Sequence, residues 1–166
     1  MTRGSKYVLD ADVFMTAARR YYAFDIAPVF WELLVNNASK GRLLSIDHVK
    51  ADIDRGKDEL TSWASGYFHK WFDSTAQDDV VQDYRRIISW AQGQNQYTVA
   101  AKADFARASD GWLVAYAKAK GYTVVTNETY DPNIRRRIKI PNVCKAFKVP
   151  YVDTFKLLRD LGVKLG

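Results

Sequence analysis

The sequence predicts an α/β fold, with a mainly parallel central sheet of about four to five strands and helices on both faces. Three observations predict it. Short apolar, β-branched runs such as Lys6–Asp10 and Tyr122–Thr126 read as strands buried on both faces. Between them lie longer segments whose apolar residues recur at helical spacing. No repeat, low-complexity tract or Gly/Ser/Pro-rich linker divides the chain, so residues 1–166 form one domain.

In chain order, the run Lys6–Asp10 is the first strand, a short apolar stretch ending in an acid. Asp25 then offers an N-cap, with Pro28 in the first turn of a helix. That helix carries Phe30, Leu33, Leu34 and Asn37 inward, and Gly41 ends it. Residues 42–46 form a second strand, followed by helical stretches at 47–53 and 57–65. From Asp78 to Arg107 the pattern is helical, broken at Gly93–Gln96, with Val81, Tyr84, Ile88 and Ala91 inward and Arg85 and Arg86 facing elsewhere. Asp110 opens a helix that buries Trp112, Leu113, Tyr116 and Ala117, and Gly121 closes it. Tyr122–Thr126 is the next strand, a short strand is expected near 138–140, and a helix from Asp153 to Leu161 follows.

Composition narrows the class. At 166 residues, with 48% hydrophobic and 27% charged, the chain buries a sizeable core without staples and is not disordered. No apolar run approaches the roughly 20 residues that span a bilayer, so no membrane association is expected. An aspartate interrupts the N-terminal apolar stretch before it resembles a secretory signal. The single cysteine, Cys144, cannot form an internal disulfide, which fits a cytoplasmic protein and a buried thiol. The net charge of +6 favours a polyanionic partner, although solubility alone accounts for such an excess in many proteins.

In open parallel sheets, ligands bind beyond the carboxyl ends of the strands, so acids at those ends carry the interest. Asp10 and Asp12 follow the first strand, and Glu128 follows Val124–Thr126. Asp110 opens the helix leading into that strand, and Asp52 lies in the helical stretch after the second strand. Each has an ordinary alternative: Asp10 and Asp110 as caps, Asp12 as a first-turn helix acid, Asp52 and Glu128 as solvated carboxylates. Their ordered positions favour convergence on one edge. Two carboxylates ~5 Å apart repel by roughly 3 kcal/mol at an effective dielectric of ~20. A hard cation relieves this, and an all-oxygen set points to Mg²⁺ or Mn²⁺ rather than zinc.

These residues carry a resemblance. Tyr7–Phe14 (YVLDADVF), Val49–Ile53 (VKADI), Ala108–Ala115 (ASDGWLVA) and Val124–Glu128 (VVTNE) fall in the order of motifs in the PIN-domain nucleases. Gly56–Trp63 and Lys139–Phe147 resemble a bacterial branch of that superfamily related to toxin–antitoxin ribonucleases. The resemblance covers nearly the whole chain. It implies a three-layer α/β/α PIN-like fold and Mg²⁺- or Mn²⁺-dependent endonucleolytic cleavage of RNA, often by the toxin of a toxin–antitoxin pair. It maps the catalytic acids to Asp10, Asp52, Asp110 and Glu128; of these Asp10, Asp110 and Glu128, together with the neighbouring Asp12, are the expected metal ligands. Three positions depart from the family pattern. Asp12 replaces a small polar residue, Asp52 is shorter than the usual glutamate, and Glu128 is longer than the usual aspartate. The expected partners are RNA, a small antitoxin protein and a second copy of the chain as a homodimer.

Arg135, Arg136, Arg137 and Lys139 form the densest basic run and are expected to hold the RNA backbone beside the acids, unless they are a solvated loop. His48 and His69 lack partners at metal or triad spacing and are expected to be structural. Two other functions compete. Leu9–Val13 (LDADV) also resembles the opening motif of haloacid dehalogenase phosphatases, in which Asp10 would be a phosphorylated nucleophile. That chemistry needs a further lysine and a later acidic pair, and no such acidic segment follows Thr126. A lapsed nucleic-acid- or antitoxin-binding module would keep the fold and the charge, but not this set of carboxylates.

Overall fold

The computed structural model describes residues 5–165. Five strands form one sheet in the order β3-β2-β1-β4-β5, every neighbouring pair parallel. They are β1 (Tyr7–Leu9), β2 (Leu43–Ile46), β3 (Phe72–Asp73), β4 (Thr123–Val125) and β5 (Tyr151–Val152). Val8 and Leu9 point to opposite faces of the sheet, as do Val124 and Val125, and all four are fully buried. Helices therefore cover both faces, which makes three α/β/α layers. The strand order reverses at β1, whose neighbours are β2 and β4. The carboxyl edge between β1 and β4 is thus the topological switch point, where such sheets place a ligand.

The helices are α1 (Ala11–Thr16), α2 (Pro28–Ser39), α3 (Asp47–Asp54), α4 (Glu59–Trp63), α5 (Asp78–Gly93), α6 (Val99–Arg107), α7 (Asp110–Lys120), α8 (Ile140–Phe147) and α9 (Thr154–Asp160). Helix α1 runs on into a wider π-helical turn over Ala17–Tyr21, and α4 into another over Ala64–Phe68. Helix α7 packs against α5, α6 and α8 and against β1, β2 and β4, so it is the central helix of its layer. Gly111 permits that packing. A Cβ there would lie 3.1 Å from the Phe105 ring and 3.2 Å from Tyr84. At the other end of α7, Gly121 takes φ +74°, the left-handed conformation that terminates the helix.

Four expectations are corrected. Residues 138–140 form no strand: Ile140 starts α8, with Pro141 at a position that needs no helical N–H donor. Asp25 is not the cap of α2; Ala27 takes that position and Asp25 is exposed. On α5 the buried face is Val80, Asp83, Ile87 and Ala91, while Val81, Tyr84 and Ile88 are half-buried. Trp112 on α7 is likewise half-buried rather than enclosed. The edge strands β3 and β5 have no counterpart among the strands the sequence pattern shows. Cys144 is buried, as expected, and burial pushes its thiol up to about 12. Among the described residues no helix is long and apolar enough to cross a membrane.

Candidate metal centre

Each acid reaches the switch point on a different element. Asp10 leaves β1 in extended conformation and donates its backbone N–H to the carbonyl of Val125, which ties the corner of β1 to β4 (3.0 Å). It stands at the cap position of α1, but its carboxylate accepts no capping bond. Instead Thr126 Oγ1, at the end of β4, donates to Asp10 Oδ2 (3.2 Å). The capping alternative for Asp10 therefore fails. Asp110 is the first residue of α7, with Ser109 in the cap position, so its carboxylate is not spent on capping either. Asp12, exposed in the first turn of α1, accepts from Thr16 Oγ1 (3.0 Å).

These side chains line one open cleft of about 440 Å³ with Asp52, Glu128, Ser109, Met15, Arg55 and Arg137. All five acids singled out in the sequence thus lie in one cleft. Its lining includes no lysine, histidine or cysteine. The basic run divides. Arg137 lines the cleft and pairs with Glu128. Arg136 lines a neighbouring hollow that also touches Asp110. Arg135 is exposed, with its backbone carbonyl accepting from Thr98, and Lys139 caps α8. Neither of these two lines the cleft, so the fold brings only part of the run beside the acids.

The charges in the cleft fall into two groups. Asp52 accepts from Arg55 (2.6 Å) and from Ser109 Oγ (2.6 Å). Glu128 is paired with Arg137 and accepts from the backbone N–H of Ile140 (2.9 Å). Asp10 and Asp110 form no ion pair among the described residues, and they carry the electrostatic cost. Burial pushes the Asp10 carboxyl well above the ordinary carboxylate range, and Asp110, Glu128 and Asp12 push it further; the Thr126 hydroxyl opposes this. Asp110 retains some exposed area but is closely surrounded by protein. Burial and then the Glu128 charge raise it to about 7, against the pull of Arg137.

Sequence reasoning does not single out Arg55, Ser109 or Thr126 as residues of the site. The spacing of Arg55 three residues after Asp52 on one helix is a legible signal, as is the hydroxyl at the end of the strand that precedes Glu128. His48 stacks on Trp112, which stacks in turn on Tyr84, so its role is packing; His69 is exposed and away from the cleft.

The family described as "Domain of unknown function (DUF4411)" matches residues 7–165. The chain belongs to the DUF4411 family. No curated protein matches it by sequence. Among solved structures, FitAcB from Neisseria gonorrhoeae is 18% identical with a TM-score of 0.54, covering 87% of this chain and 95% of that one. VapBC2 from Rickettsia felis, solved bound to a DNA fragment from their promoter, is 15% identical with a TM-score of 0.49, covering 89% and 97%. The likeness to FitAcB is one of fold, and the DUF4411 chain has the PIN-like three-layer fold that its motifs led one to expect.

The acidic set suits a hard cation. Every donor is oxygen, and the buried Asp10 carries no cationic partner among the described residues. Among the described residues, no three His, Cys, Asp or Glu side chains are grouped closely enough to hold an ion between them as they stand. Asp52 and Glu128 are instead turned to their arginines.

Proposed function

We propose that this DUF4411 protein is a Mg²⁺- or Mn²⁺-dependent endoribonuclease that hydrolyses RNA phosphodiester bonds, and the toxin of a toxin–antitoxin pair. The observation that carries the reading is the gathering of Asp10, Asp12, Asp52, Asp110 and Glu128 at the sheet's switch point, with Asp10 buried and lacking a cationic partner among the described residues. A charge held in that position destabilises the fold unless a cation relieves it. Asp10 and Asp110 are the principal ligands. Glu128 and Asp52 complete the set directly or through water, with Asp12 at the rim.

A bound cation supplies an activated water and stabilises charge on the phosphoryl oxygens. The rest falls to the chain. Thr126 Oγ1 holds the Asp10 carboxylate by a hydrogen bond, and Ser109 does the same for Asp52. Arg55 and Arg137 line the same cleft and offer planar donor forks that match phosphate oxygens. No side chain forms a bond to the substrate on this reading. Replacing a ligand removes charge stabilisation rather than a nucleophile.

The phosphatase alternative needs a lysine beside the first aspartate, and the lining of the cleft contains none. The lapsed-module alternative conflicts with a complete carboxylate set. A small antitoxin and a second copy of the chain remain the proposed protein partners.

The deciding experiment incubates end-labelled single-stranded RNA with the wild type and Asp10→Asn, in Mg²⁺, Mn²⁺ and EDTA. Metal-dependent internal cleavage, lowered by orders of magnitude in Asp10→Asn, is the expected result. Full cleavage by Asp10→Asn in EDTA overturns the assignment. So does a hydroxylamine-sensitive phospho-adduct on Asp10 formed from small phosphate esters.

A further inference from the structure

Beside the acidic cleft lies a second cavity of about 250 Å³, lined among others by Val13, Thr16, Tyr21, Asn127, Asp153 and Phe155. Two connections make it a neighbour of the acids. Thr16 lines the cavity and donates to Asp12 in the cleft. Asn127 stands between Thr126, which holds Asp10, and Glu128.

The cavity is built unlike an ordinary surface hollow. Tyr21 is 59% exposed and Phe155 50% exposed, and their rings meet edge to face at 6.4 Å and 68°. Two large rings thus face solvent at the mouth while Val13 and Ala17, both buried, line it further in. The backing is rigid: Tyr22 also lines the cavity, stacks on the buried Phe30 at 4.3 Å, and accepts from Trp31 Nε1 through its carbonyl (2.6 Å). Asn127 Oδ1 accepts from both the N–H and the hydroxyl of Thr154 (3.2 and 2.9 Å). That fixes the amide orientation and leaves its NH₂ donors without a partner among the described residues. Asp153 adds a carboxylate with acceptor capacity beyond the one bond it takes from Lys156 N–H. Arg19 and Arg20, both exposed, sit on the same turn as Tyr21.

Flat rings, one amide donor, one carboxylate acceptor and adjacent cations are the complement of a nucleotide in a single strand. We infer that this cavity is a nucleobase subsite: it stacks a base next to the scissile phosphate against Tyr21 and Phe155. Asp153 accepts from an N–H on the edge of that base and Asn127 donates to a neighbouring ring or carbonyl acceptor. The inference rests on the ribonuclease reading and adds to it a contact that holds the strand in place. Cytosine, through its exocyclic amine and N3, and uracil, through N3–H and O4, each present a donor beside an acceptor, so the site reads the presence of a base rather than its identity.

The test is equilibrium binding of a labelled oligocytidylate and of an abasic ribose-phosphate oligomer of equal length with metal chelated, so that cleavage plays no part. The proteins are wild type, Tyr21→Ala/Phe155→Ala and Phe155→Trp, each checked by thermal melting. The wild type is expected to bind the base-bearing oligomer more tightly. The double variant should lose tenfold or more in affinity together with that preference, and Phe155→Trp should keep both. A folded double variant that binds like the wild type overturns the subsite, as does equal wild-type affinity for the two oligomers. Metal-dependent RNA cleavage alongside either outcome would leave the nuclease reading standing. A wild type that neither binds nor cleaves RNA overturns both.

Discussion

Asp110→Asn should stabilise the metal-free protein while destroying the proposed activity. Asp110 is raised from 3.8 to about 7, first by burial and then by the Glu128 charge. A carboxyl whose folded value exceeds its unfolded one keeps its proton longer in the native state. Stability is therefore highest below the unfolded value, falls as pH climbs from about 4 to about 7, and stays low above that. At 1.36 kcal/mol per pH unit, the full shift corresponds to about 4 kcal/mol at pH 8. Residual exposure and coupling to Asp10 and Glu128 reduce what one substitution recovers to about 1–3 kcal/mol. For a chain of this length, each kcal/mol moves the melting temperature by roughly 2–4 °C. Thermal melts in EDTA at pH 8 should therefore place Asp110→Asn at least ~2 °C above the wild type, with the gap closing at pH 4.5. Added Mg²⁺ should raise the wild type more than the variant. An Asp110→Asn protein that melts at or below the wild type at pH 8, or a gap independent of pH, would refute the claim that the cleft stores charge repulsion.

Three further outcomes follow from the same geometry. Mg²⁺ or Mn²⁺ should raise the melting temperature, by the equivalent of about 2.7 kcal/mol at a hundredfold excess over Kd, and Asp10→Asn should reduce the gain by weakening the binding. A flat titration of the wild type removes the cation from the site. Arg136→Ala/Arg137→Ala should flatten the salt dependence of RNA binding by about 1.4 in log–log slope, at ~0.7 per phosphate contact on a single strand. Arg135→Ala, whose side chain lines neither the cleft nor the neighbouring hollow, should leave the slope unchanged, and an equal effect of all three arginines refutes this division. Gly111→Ala should cost about 1–3 kcal/mol in urea unfolding, since its Cβ meets Phe105 and Tyr84 inside normal contact distance. Unchanged stability would mean that both rings yield freely.

The parts of this protein legible in its sequence are those governed by local rules. The runs YVL and TVV are apolar on both faces and bounded by turns, so β1 and β4 can be read directly. Asp10 and Glu128 follow from them, because the carboxyl ends of central strands are where such a sheet exposes its crevice. Strands β3 and β5 are two residues each and lie on the sheet edges, where pairing with a neighbour rather than intrinsic pattern makes the strand. The isoleucines at 138 and 140 alternate as a strand would, yet Pro141 and the run that follows suit a helix start; tertiary packing of Ile140, Val143 and Cys144 decides the outcome. The division among Arg135, Arg136 and Arg137 is illegible for a related reason. In a loop without periodicity, only the fold determines which of three adjacent side chains meets Glu128.

The pairing of Arg137 with Glu128 bears on how a cluster of acids can persist before any cation arrives. Five carboxylates in one cleft would strain the sheet edge, yet Asp52 and Glu128 are neutralised by Arg55 and Arg137. The arginines sit on the more exposed side of each pair: Arg55 and Arg137 are 74% and 59% exposed, against 21% and 9% for their partners. The guanidinium is the exposed member of each pair, so a phosphate can reach it, but parting it from the enclosed carboxylate costs more than breaking a surface pair. An RNA strand that draws Arg137 away leaves Glu128 charged, poorly solvated and close enough to influence Asp10 and Asp110. Substrate binding and metal binding would then reinforce each other. Reciprocity requires that Mg²⁺ tighten RNA by the same factor as RNA tightens Mg²⁺. In Asp10→Asn, where turnover is removed, that coupling should persist in weakened form, whereas Arg137→Ala should uncouple the two ligands.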